Sequence, residues 1–304
     1  MDTILETKAL SKNYGHFKAL NRLSMTVPRG SIYGFVGKNG SGKTTLIRLI
    51  CGLQHPSSGS FTLYGKENTE KAIDRSRRRM GAVVETPSIY LNMTAKNNLK
   101  QQYRILGLPS YEGLEELLEL VGLETTGRRK AKNFSLGMRQ RLAIALALVG
   151  DPDFLVLDEP VNGLDPQGII EIRELILKLN REKQITVLIS SHMLDELAKL
   201  ATHYGFIDDG KIVKEMSAAE LEAACRKCVR MEVTNMRGLI QVLEGMDVEY
   251  KIVSDTLVDL FAKVNVTQLV LALVEVNCDV LSMQEWDESL ESYYVALVGG
   301  GSHG

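Results

Sequence analysis

Cysteine is scarce in this sequence, and long apolar runs are missing from it. The 304 residues include only four cysteines, a count that favours a reducing compartment over a disulfide framework. No stretch approaches the ~18 consecutive apolar residues that a membrane-spanning helix needs. The first residues show no basic segment followed by an apolar one, so no signal peptide is predicted. We therefore expect a soluble chain, for which any membrane role must come through a partner.

An excess of one charge sign is also absent. Lysine and arginine number 36 against 38 aspartates and glutamates, for a formal net charge of −2, which gives no general attraction to nucleic acid or acidic membranes. The basic run at residues 75–79 contains four arginines without interleaved aromatic residues. We interpret this run as a solvated helix face, and we expect no nucleic-acid partner.

Cys225 and Cys228 have the C-x-x-C separation of a metal or redox motif. A zinc site needs a second ligand pair, and Cys51 and Cys278 do not form one in the sequence. Two interpretations stay open. The pair is either a metal or redox site, or two ordinary cysteines on a helix, and the missing second pair favours the latter.

Short apolar segments alternate with helical patterns along the first two thirds of the chain, which predicts an α/β domain with a mostly parallel sheet and crossover helices. Residues from about 88 to 150 turn helical, with helices expected at 94–106, 111–121 and 136–149, and read as a helical subdomain inserted into the sheet domain. The predicted strands are 23–27, 31–36, 61–64, 82–84, 154–157, 186–190 and 204–207.

A break in the pattern near 214–219 predicts a domain boundary. We expect a first domain over 1–218, a small α+β accessory domain over 219–298 and a flexible tail over 299–304. Within the second domain the pattern reads strand, helix, strand, strand, helix, strand, which is the order of a ferredoxin-like βαββαβ module.

A glycine-rich run at residues 37–44 reads Gly-Lys-Asn-Gly-Ser-Gly-Lys-Thr and lies between an apolar strand and an amphipathic helix. Glycines let the backbone bend so that consecutive N–H groups point at phosphate oxygens, and the helix adds the positive end of its dipole. The lysine supplies a charge for the β- and γ-phosphates, and the threonine hydroxyl supplies a ligand for Mg²⁺. The sequence therefore predicts nucleotide binding. The candidate residues here are Gly37, Asn39, Gly40, Ser41, Gly42, Lys43, Thr44 and Thr45.

A second apolar strand, at 154–157, ends in the carboxylates of Asp158 and Glu159. A strand that is apolar throughout is typical of the buried centre of a parallel sheet, and its carboxyl end faces the phosphates. Asp158 is placed there to hold the water shell of Mg²⁺ together with Thr44. Glu159 is placed to orient or deprotonate the attacking water.

Two further side chains follow at the same edge of the predicted sheet. Asp165 comes after a proline and before a helix, and we include it among the nucleotide-binding candidates. His192 ends the buried strand at 186–190 and can donate a hydrogen bond to the γ-phosphate. A histidine after a strand is more often structural, but the neighbouring motifs favour a catalytic role here.

Ser135 begins a long apolar helix and is a good N-cap. Its hydroxyl, the Gly137 N–H and the helix dipole form a second phosphate-binding surface, about 90 residues beyond the first. One chain with two such surfaces suggests that they act in trans, across a two-fold dimer.

Taken in order, these motifs resemble the nucleotide-binding subunit of an ATP-binding cassette (ABC) transporter over about residues 3–215. The resemblance implies an ABC-type P-loop domain with a mixed sheet core, and it implies ATP and Mg²⁺ as substrate and cofactor. It also implies an adenine-stacking aromatic before the loop, and Tyr14 occupies that place. The family signature is normally Leu-Ser-Gly-Gly-Gln. Here it reads Phe-Ser-Leu-Gly-Met, which retains the two phosphate-contacting positions, Ser135 and Gly137.

Glu85 departs from the family pattern, which usually has glutamine at this position. There the family residue touches Mg²⁺ and the attacking water and signals to the membrane subunit, so the resemblance makes Glu85 a metal-binding and catalytic candidate. A carboxylate beside a polyanion is costly unless the metal compensates. This departure, the altered signature and the C-terminal appendage resemble the bacitracin- and lantibiotic-immunity exporters. The alternative is that Glu85 faces solvent and does nothing.

Three hypotheses about function follow from the resemblance. The first is a homodimeric ATPase that powers efflux of a peptide antibiotic through a separate integral-membrane permease, docked mostly on residues 86–112. Such a subunit would be cytoplasmic and peripheral on the inner face of the cell membrane. The second is a soluble cassette protein acting on ribosomes or in DNA repair, which the single phosphate loop and the short gap before the signature disfavour. The third keeps the exporter but changes the cargo to a lipid, sodium or a drug.

Overall fold

The computed structural model describes residues 2–85, 88–225, 228–261, 264–286 and 290–299. By its internal contacts the chain forms two units, Met1–Ala218 and Ala219–Gly304. Among the described residues, no helix combines the length and the apolar character needed to cross a membrane.

Ten strands and seven helices of the described residues precede Ala218, together with short 3-10 turns at Glu124–Thr126 and Ala131–Asn133. The strands are β1 (Thr3–Tyr14), β2 (Phe17–Pro28), β3 (Ile32–Val36), β4 (Ser58–Leu63), β5 (Lys66–Glu67), β6 (Met80–Val83), β7 (Phe154–Asp158), β8 (Thr186–Ser191), β9 (His203–Asp208) and β10 (Lys211–Ser217). The helices are α1 (Lys43–Ile50), α2 (Ile73–Arg77), α3 (Ala95–Ile105), α4 (Leu114–Leu120), α5 (Leu136–Leu148), α6 (Pro166–Lys183) and α7 (Leu194–Ala198).

A six-stranded sheet in the order β10-β9-β3-β8-β7-β6 carries the predicted motifs. Its five strands from β9 to β6 are parallel, and β10 is antiparallel to β9. Every residue of β3, β7 and β8 is buried, as expected for parallel strands covered on both faces. The prediction of an α/β domain with a mixed sheet core is therefore confirmed.

Two of the predicted strands lie elsewhere. The segments at 23–27 and 61–64 belong to β2 and β4 of a separate antiparallel sheet, in the order β2-β1-β4-β5. Their assignment to the parallel sheet was wrong because β1 and β2 are joined by a tight turn at Gly15, with φ +58°. Such a turn suits only an antiparallel pair, since parallel strands need a longer crossover.

The three helices predicted between 88 and 150 are present as α3, α4 and α5. Thr94 and Ser135 cap the first and the last of them, because each hydroxyl accepts a hydrogen bond from a backbone N–H three residues on. These caps satisfy donors that the first helical turn leaves open. Helices α3 and α5 therefore begin immediately after these two caps, whereas α4 begins at Leu114, three residues later than predicted.

The two units divide at Ala218, within the segment 214–219 where the boundary is expected, but regular secondary structure runs through this segment. Strand β10 continues to Ser217 against β9, and helix α8 (Ala218–Ala224) follows directly. The polar residues of β10 made this strand difficult to recognise in the sequence, because an edge strand exposes most of its side chains to water. Only Met216 of this strand is buried.

The unit after Ala218 contains one antiparallel sheet in the order β12-β13-β11-β14. Its order of elements confirms the predicted strand–helix–strand–strand–helix–strand pattern, and apolar residues of both helices pack on the sheet. The remaining elements are β11 (Cys228–Val233), α9 (Met236–Gly245), β12 (Tyr250–Ile252), β13 (Leu257–Leu260), α10 (Val266–Glu275), β14 (Val280–Trp286) and α11 (Leu290–Gly299).

The cysteine pair does not lie on one helix. Cys225 follows the end of α8, whereas Cys228 is buried at the start of β11, so that part of the prediction is wrong. Within the described parts of the chain, no cluster of three or more potential metal-binding side chains occurs. Residues 226 and 227, between the two cysteines, lie outside the described residues.

The arginine run is not a solvated helix face throughout. Helix α2 ends at Arg77, whose Nε donates to the Ile50 carbonyl oxygen at 3.1 Å. Arg79 lies beyond the helix, 4.0 Å from the Tyr64 ring centroid, and pairs with Asp153 at 2.5 Å. These two side chains fasten the end of α2 to its neighbours, so the prediction is wrong for them.

The Asp153 carboxylate accepts hydrogen bonds from several side chains near the end of α2. Burial alone would raise its pKa, but hydrogen bonds from Tyr64, Arg79 and Arg29 outweigh burial and hold the pKa of this carboxyl below its usual range. The ionised form is therefore favoured in the folded protein.

Candidate functional site

The glycine-rich run forms a bent loop between β3 and α1. Gly40 has φ +82° and Gly42, the N-cap residue of α1, has φ +112°. A Cβ atom at Gly42 would lie 2.5 Å from the Ala19 carbonyl oxygen, and one at Gly37 would lie 2.6 Å from the Ile207 carbonyl oxygen. A side chain at either position would contact a backbone carbonyl oxygen, and at Gly42 the positive φ adds strain.

Lys43, at the first position of α1, directs its side chain back over the loop. The side chain is 5% exposed. Its Nζ donates to the Gly37 carbonyl oxygen at 2.6 Å and to the Lys38 carbonyl oxygen at 3.2 Å. The same Nζ lies 3.3 Å from Oε1 of Glu159. A charge held by the loop at the start of a helix is suited to an anion.

The loop also contains a buried polar atom with no partner. Among the described residues, Ser41 Oγ is buried and makes no hydrogen bond. A Cβ atom added at Gly40 would meet nothing within 4 Å, and Asn39 beside it is exposed. An unsatisfied hydroxyl costs free energy unless a ligand provides a partner. The loop therefore fits a phosphate group.

Asp158 and Glu159 lie where β7 leaves the sheet, next to the end of β8. Asp158 is 4% exposed, and its Oδ1 accepts a hydrogen bond from Ser190 Oγ at 2.5 Å. Glu159 has φ +48°, a left-handed conformation. Its backbone N–H donates to both oxygens of Ser190, at 3.0 Å to Oγ and at 3.2 Å to the carbonyl.

The sequence motifs do not single out Ser190. The available signal was a hydroxyl at the end of an apolar strand, immediately before a histidine of interest. Its partners lie on the neighbouring strand, so the contact becomes visible only once the two strands are paired.

His192 and Glu159 are in direct contact. Nδ1 of His192 lies 2.8 Å from Oε2 of Glu159, while Oε1 of that carboxylate faces Lys43. The structure thus brings Lys43, Glu159 and His192 together, as the motifs predict. The glutamate side chain is 20% exposed and the histidine side chain 34%, so both remain accessible to water and ligand.

A magnesium ion fits the oxygen donors near the loop. Thr44 is half-buried on the first turn of α1, followed by Thr45, and Asp158 ends the strand beside them. Mg²⁺ prefers hard oxygen ligands and is usually held by one or two protein groups together with substrate phosphates and water. A hydroxyl and a carboxylate satisfy that preference.

Glu85 follows the end of β6 with φ +56°. Its carboxylate forms an ion pair with Arg48 of α1, four residues after Thr44. The Glu85 side chain is 56% exposed and the Arg48 side chain 33%. The Glu85 carboxylate is therefore not unpaired in solvent.

The second predicted phosphate surface lies at the start of α5. Ser135 caps this helix, with its Oγ accepting from the Met138 N–H at 3.2 Å. A Cβ atom at Gly137 would meet Gly168 at 3.8 Å. Asp165 caps α6 in the same neighbourhood, with Oδ1 accepting from the Gly168 N–H at 3.1 Å. The Asp165 side chain thus has a structural partner of its own.

Tyr14 ends β1 and is 41% exposed. Its hydroxyl donates to Oε1 of Gln54, and Nζ of Lys12 lies 5.3 Å from its ring centroid. A ring fixed by its hydroxyl and open on one side is suited to stacking against a purine.

Comparison with known proteins places these motifs in a family. The family model described as "ABC transporter" matches residues 20–162. The bacitracin transport ATP-binding protein BcrA of Bacillus licheniformis is 40% identical over 307 residues, which cover 100% of both chains. The lantibiotic transport ATP-binding protein SrtF of Streptococcus pyogenes is 42% identical over 212 residues, 70% of this chain and 90% of its own.

Solved structures agree with the fold of the first unit. The structure of cbiO1 from Clostridium perfringens, part of the ABC transporter complex cbiONQ, is 27% identical, with a TM-score of 0.66 over 73% of this chain and 92% of that chain. A dimeric structure of a bacterial ABC transporter cassette is 25% identical, with a TM-score of 0.63 over 70% of this chain and 98% of that chain.

Proposed function

Because this chain belongs to the ATP-binding subunits of ABC transporters and hydrolyses ATP to drive transport, we propose that it powers export of a peptide antibiotic. The cargo class is that of bacitracin or a lantibiotic. The membrane path is a separate permease, and the subunit works from the cytoplasmic side of the membrane.

This proposal rests on how much of the chain one relative matches. The bacitracin transport relative matches 100% of the chain, including the unit that begins at Ala219. That unit lies beyond residues 20–162, which match the general family model. Similarity through the second unit therefore supports a bacitracin-like cargo beyond what the cassette alone supports.

In the proposed mechanism, the loop binds the triphosphate of ATP and Tyr14 stacks on the adenine. Lys43 exchanges its contacts with the loop carbonyls for phosphate oxygens, and Ser41 Oγ gains the partner that it lacks. The backbone N–H groups from Gly40 to Thr45 add neutral donors at the helix N-terminus. Each of these contacts stabilises negative charge without any chemical change in the protein.

Glu159 orients the attacking water and accepts its proton, and His192 supports this carboxylate and the γ-phosphate. Mg²⁺, held by Thr44 and Asp158, neutralises phosphate charge when it is bound. The contact of 2.8 Å between His192 and Glu159 restrains the carboxylate before substrate binds. A restrained base loses less freedom as the reaction begins.

We further propose that ATP is bound between two copies of the chain. Ser135 and Gly137 of one copy would contact the phosphates held by the loop of the other. The exposed start of α5 supports this arrangement, because Ser135 and Leu136 face solvent. Asp165 then acts indirectly, by holding α6 beside Gly137.

Residues 88–112 provide the surface that we propose for the permease. Several large apolar side chains of this segment are exposed, and a groove of about 410 Å³ runs between β6, α3 and α5. Exposed apolar patches of this kind mark interaction sites. Residues 86 and 87, which open the predicted docking segment, lie outside the described residues. The exposed apolar side chains are Tyr90, Leu91, Ile105, Leu106, Leu108 and Tyr111.

Glu85 connects this surface to the nucleotide. We propose that Glu85 would leave Arg48 when ATP binds and help to hold the hydrated metal, and that this change would displace the docking segment. Support comes from the position of Arg48, one helical turn beyond Thr44 on α1. The proposal accounts for a carboxylate where most family members have a neutral amide.

The test is to purify the chain with its permease from detergent-solubilised membranes of its native host and to reconstitute the complex in lipid vesicles. Bacitracin or a lantibiotic should raise the ATPase rate several-fold, and the Glu159→Gln complex should show no such rise. Stimulation only by a lipid, sodium or a drug would overturn the peptide cargo. Recovery of ribosomes or nucleic acid without a membrane protein would overturn the transport role.

A further inference from the structure

The hydroxyl of Ser190 is buried in a strand that is otherwise built for apolar packing. Ser190 is fully buried, next to Leu188 and Ile189 of the same strand. A buried hydroxyl is unfavourable unless it is hydrogen-bonded. Its presence here therefore requires partners, and both of them belong to the catalytic edge of the sheet.

The Ser190 hydroxyl forms hydrogen bonds with two acidic residues. Ser190 Oγ donates to Oδ1 of Asp158 at 2.5 Å and accepts from the backbone N–H of Glu159 at 3.0 Å. Asp158 and Ser190 are directly opposite each other in the register of β7 and β8. The donor and an acceptor site of this hydroxyl are thus both used.

The second of these bonds fixes an unusual backbone. Glu159 holds φ +48°, which is unfavourable for a residue with a Cβ atom. Its N–H is shared between the hydroxyl and the carbonyl of Ser190. These bonds hold the turn from which the Glu159 side chain reaches Lys43 and His192.

We infer that Ser190 is a positioning residue for both carboxylates. It orients Asp158 toward the metal and sets the backbone from which Glu159 acts as base, although it touches neither nucleotide nor water itself. This inference rests on the proposed roles of Asp158 and Glu159. The effect of its loss should appear in metal-dependent binding as well as in turnover.

The experiment compares Ser190→Ala with Thr186→Val, a matched control at the other end of β8. Thr186 is also fully buried, and its Oγ1 accepts from the Gly30 N–H at 2.9 Å. It lies about 13 Å along the strand from Ser190. Both variants lose one buried hydroxyl, so both should lose thermal stability to a similar extent.

Only Ser190→Ala should change the chemistry. We expect kcat to fall about 10-fold to 100-fold, as for other residues that orient metal ligands. Calorimetry should show weaker binding of ATP in the presence of Mg²⁺ and unchanged binding of ATP in EDTA. Ser190→Cys keeps the shape of the side chain with a larger atom and a weaker donor, so its kcat and its Mg²⁺-dependent ATP affinity should lie between those of wild type and Ser190→Ala. It replaces Ser190→Ala if that variant does not fold.

Equal losses of kcat and of Mg²⁺-dependent ATP binding in Ser190→Ala and Thr186→Val would overturn the positioning role and leave Ser190 as part of the core. Unchanged Mg²⁺-dependent binding in Ser190→Ala would do the same. The wild-type chain and Glu159→Gln are measured in parallel. If Glu159→Gln retains full turnover, the proposed catalytic role of Glu159 fails independently of the Ser190 result.

Discussion

The ammonium group of Lys43 lies 3.3 Å from Oε1 of Glu159, so the charge proposed to bind phosphate and the base proposed to act on water form one ion pair. Lys43 is almost fully buried, and a buried cation needs a partner. Incoming phosphate must compete with Glu159 for this cation. Binding and catalysis are therefore linked through a single contact.

Replacing Glu159 with glutamine should separate these two effects. We expect turnover to fall about 100-fold to 10,000-fold, because the general base is lost. ATP affinity should rise, because Lys43 loses a competing carboxylate. Turnover by ATPase assay, affinity by calorimetry and dimer formation by gel filtration with ATP check these outcomes.

Glu196→Gln is the matched control for that variant. Glu196 also carries two ion pairs, with Arg173 and Lys199, and it has no described contact with Lys43. It should leave ATP affinity and turnover near wild type. Unaltered turnover in Glu159→Gln would refute its role as base.

Glu85→Gln and Arg48→Gln test the exchange proposed for this ion pair. Arg48→Gln leaves the Glu85 carboxylate without its cation near the phosphates, and we expect ATP binding to weaken a few-fold at low Mg²⁺. Glu85→Gln should shift the Mg²⁺ concentration for half-maximal activity. The double variant should resemble Glu85→Gln alone, because residues in contact are not additive.

Lys8→Gln provides the comparison for these variants. It breaks a largely exposed ion pair with Glu6 and should leave the Mg²⁺ dependence unchanged. Strictly additive effects of Arg48→Gln and Glu85→Gln would show that the pair has no functional coupling. Identical kinetics and transport in Glu85→Gln would leave Glu85 without a role.

Mixing two inactive variants tests the shared ATP site. Lys43→Ala disables the loop, and Gly137→Asp places a negative charge on the second surface, where a Cβ atom meets only ordinary contacts at 3.8 Å and beyond. A mixed dimer then has one fully intact site and one doubly defective site. Equal mixing should recover about one quarter of the wild-type rate, since half of the dimers are mixed.

Each variant alone provides the baseline for that experiment. Gly137→Asp should keep the wild-type melting temperature, which separates a surface effect from misfolding. A mixture that remains as inactive as the separate variants would show that each chain uses only its own motifs.

The free energy of unfolding at acid pH should depend on the hydrogen bonds and ion pairs of Asp153. Because the pKa of Asp153 is lowered in the folded state, its contribution is present above its unfolded pKa of about 3.9 and is lost as the pH falls through the folded pKa. We expect Asp153→Asn to lower the free energy of unfolding by about 1 kcal/mol at pH 7, since solvent screens the partly exposed pairs. Urea titrations at pH 7 and pH 3 should show this difference shrinking toward zero.

The motifs that the sequence predicts are local. The phosphate loop, the carboxylates after β7 and the cap at Ser135 each depend on residues within one turn or strand end. The helical insertion was equally visible, because its helices repeat their apolar residues. Such patterns need no knowledge of the partner strands.

The features that sequence analysis missed depend on pairing across the chain. Strand β1 was missed because several irregularities shift its register against β2, which breaks the alternation of buried and exposed residues. Arg48 and Glu85 are 37 positions apart, and Ser190 is 32 positions from Asp158. No local sequence pattern indicates contacts between residues so far apart in the sequence.

Strand β6 is at the edge of the six-stranded sheet, where its described pairing is four residues long, from Met80 with Phe154 to Val83 with Leu157. Glu85 follows this strand, and Asp158 ends the strand that supports it. Because an edge strand is hydrogen-bonded on one side only, a displacement at Glu85 would reach the rest of this sheet through the β6–β7 ladder. This ladder is thus the path by which β6 would act on β7, whose last residue is the proposed metal ligand Asp158. The stiffness of the ladder, which substitutions in β6 would change, would set how much displacement reaches Asp158.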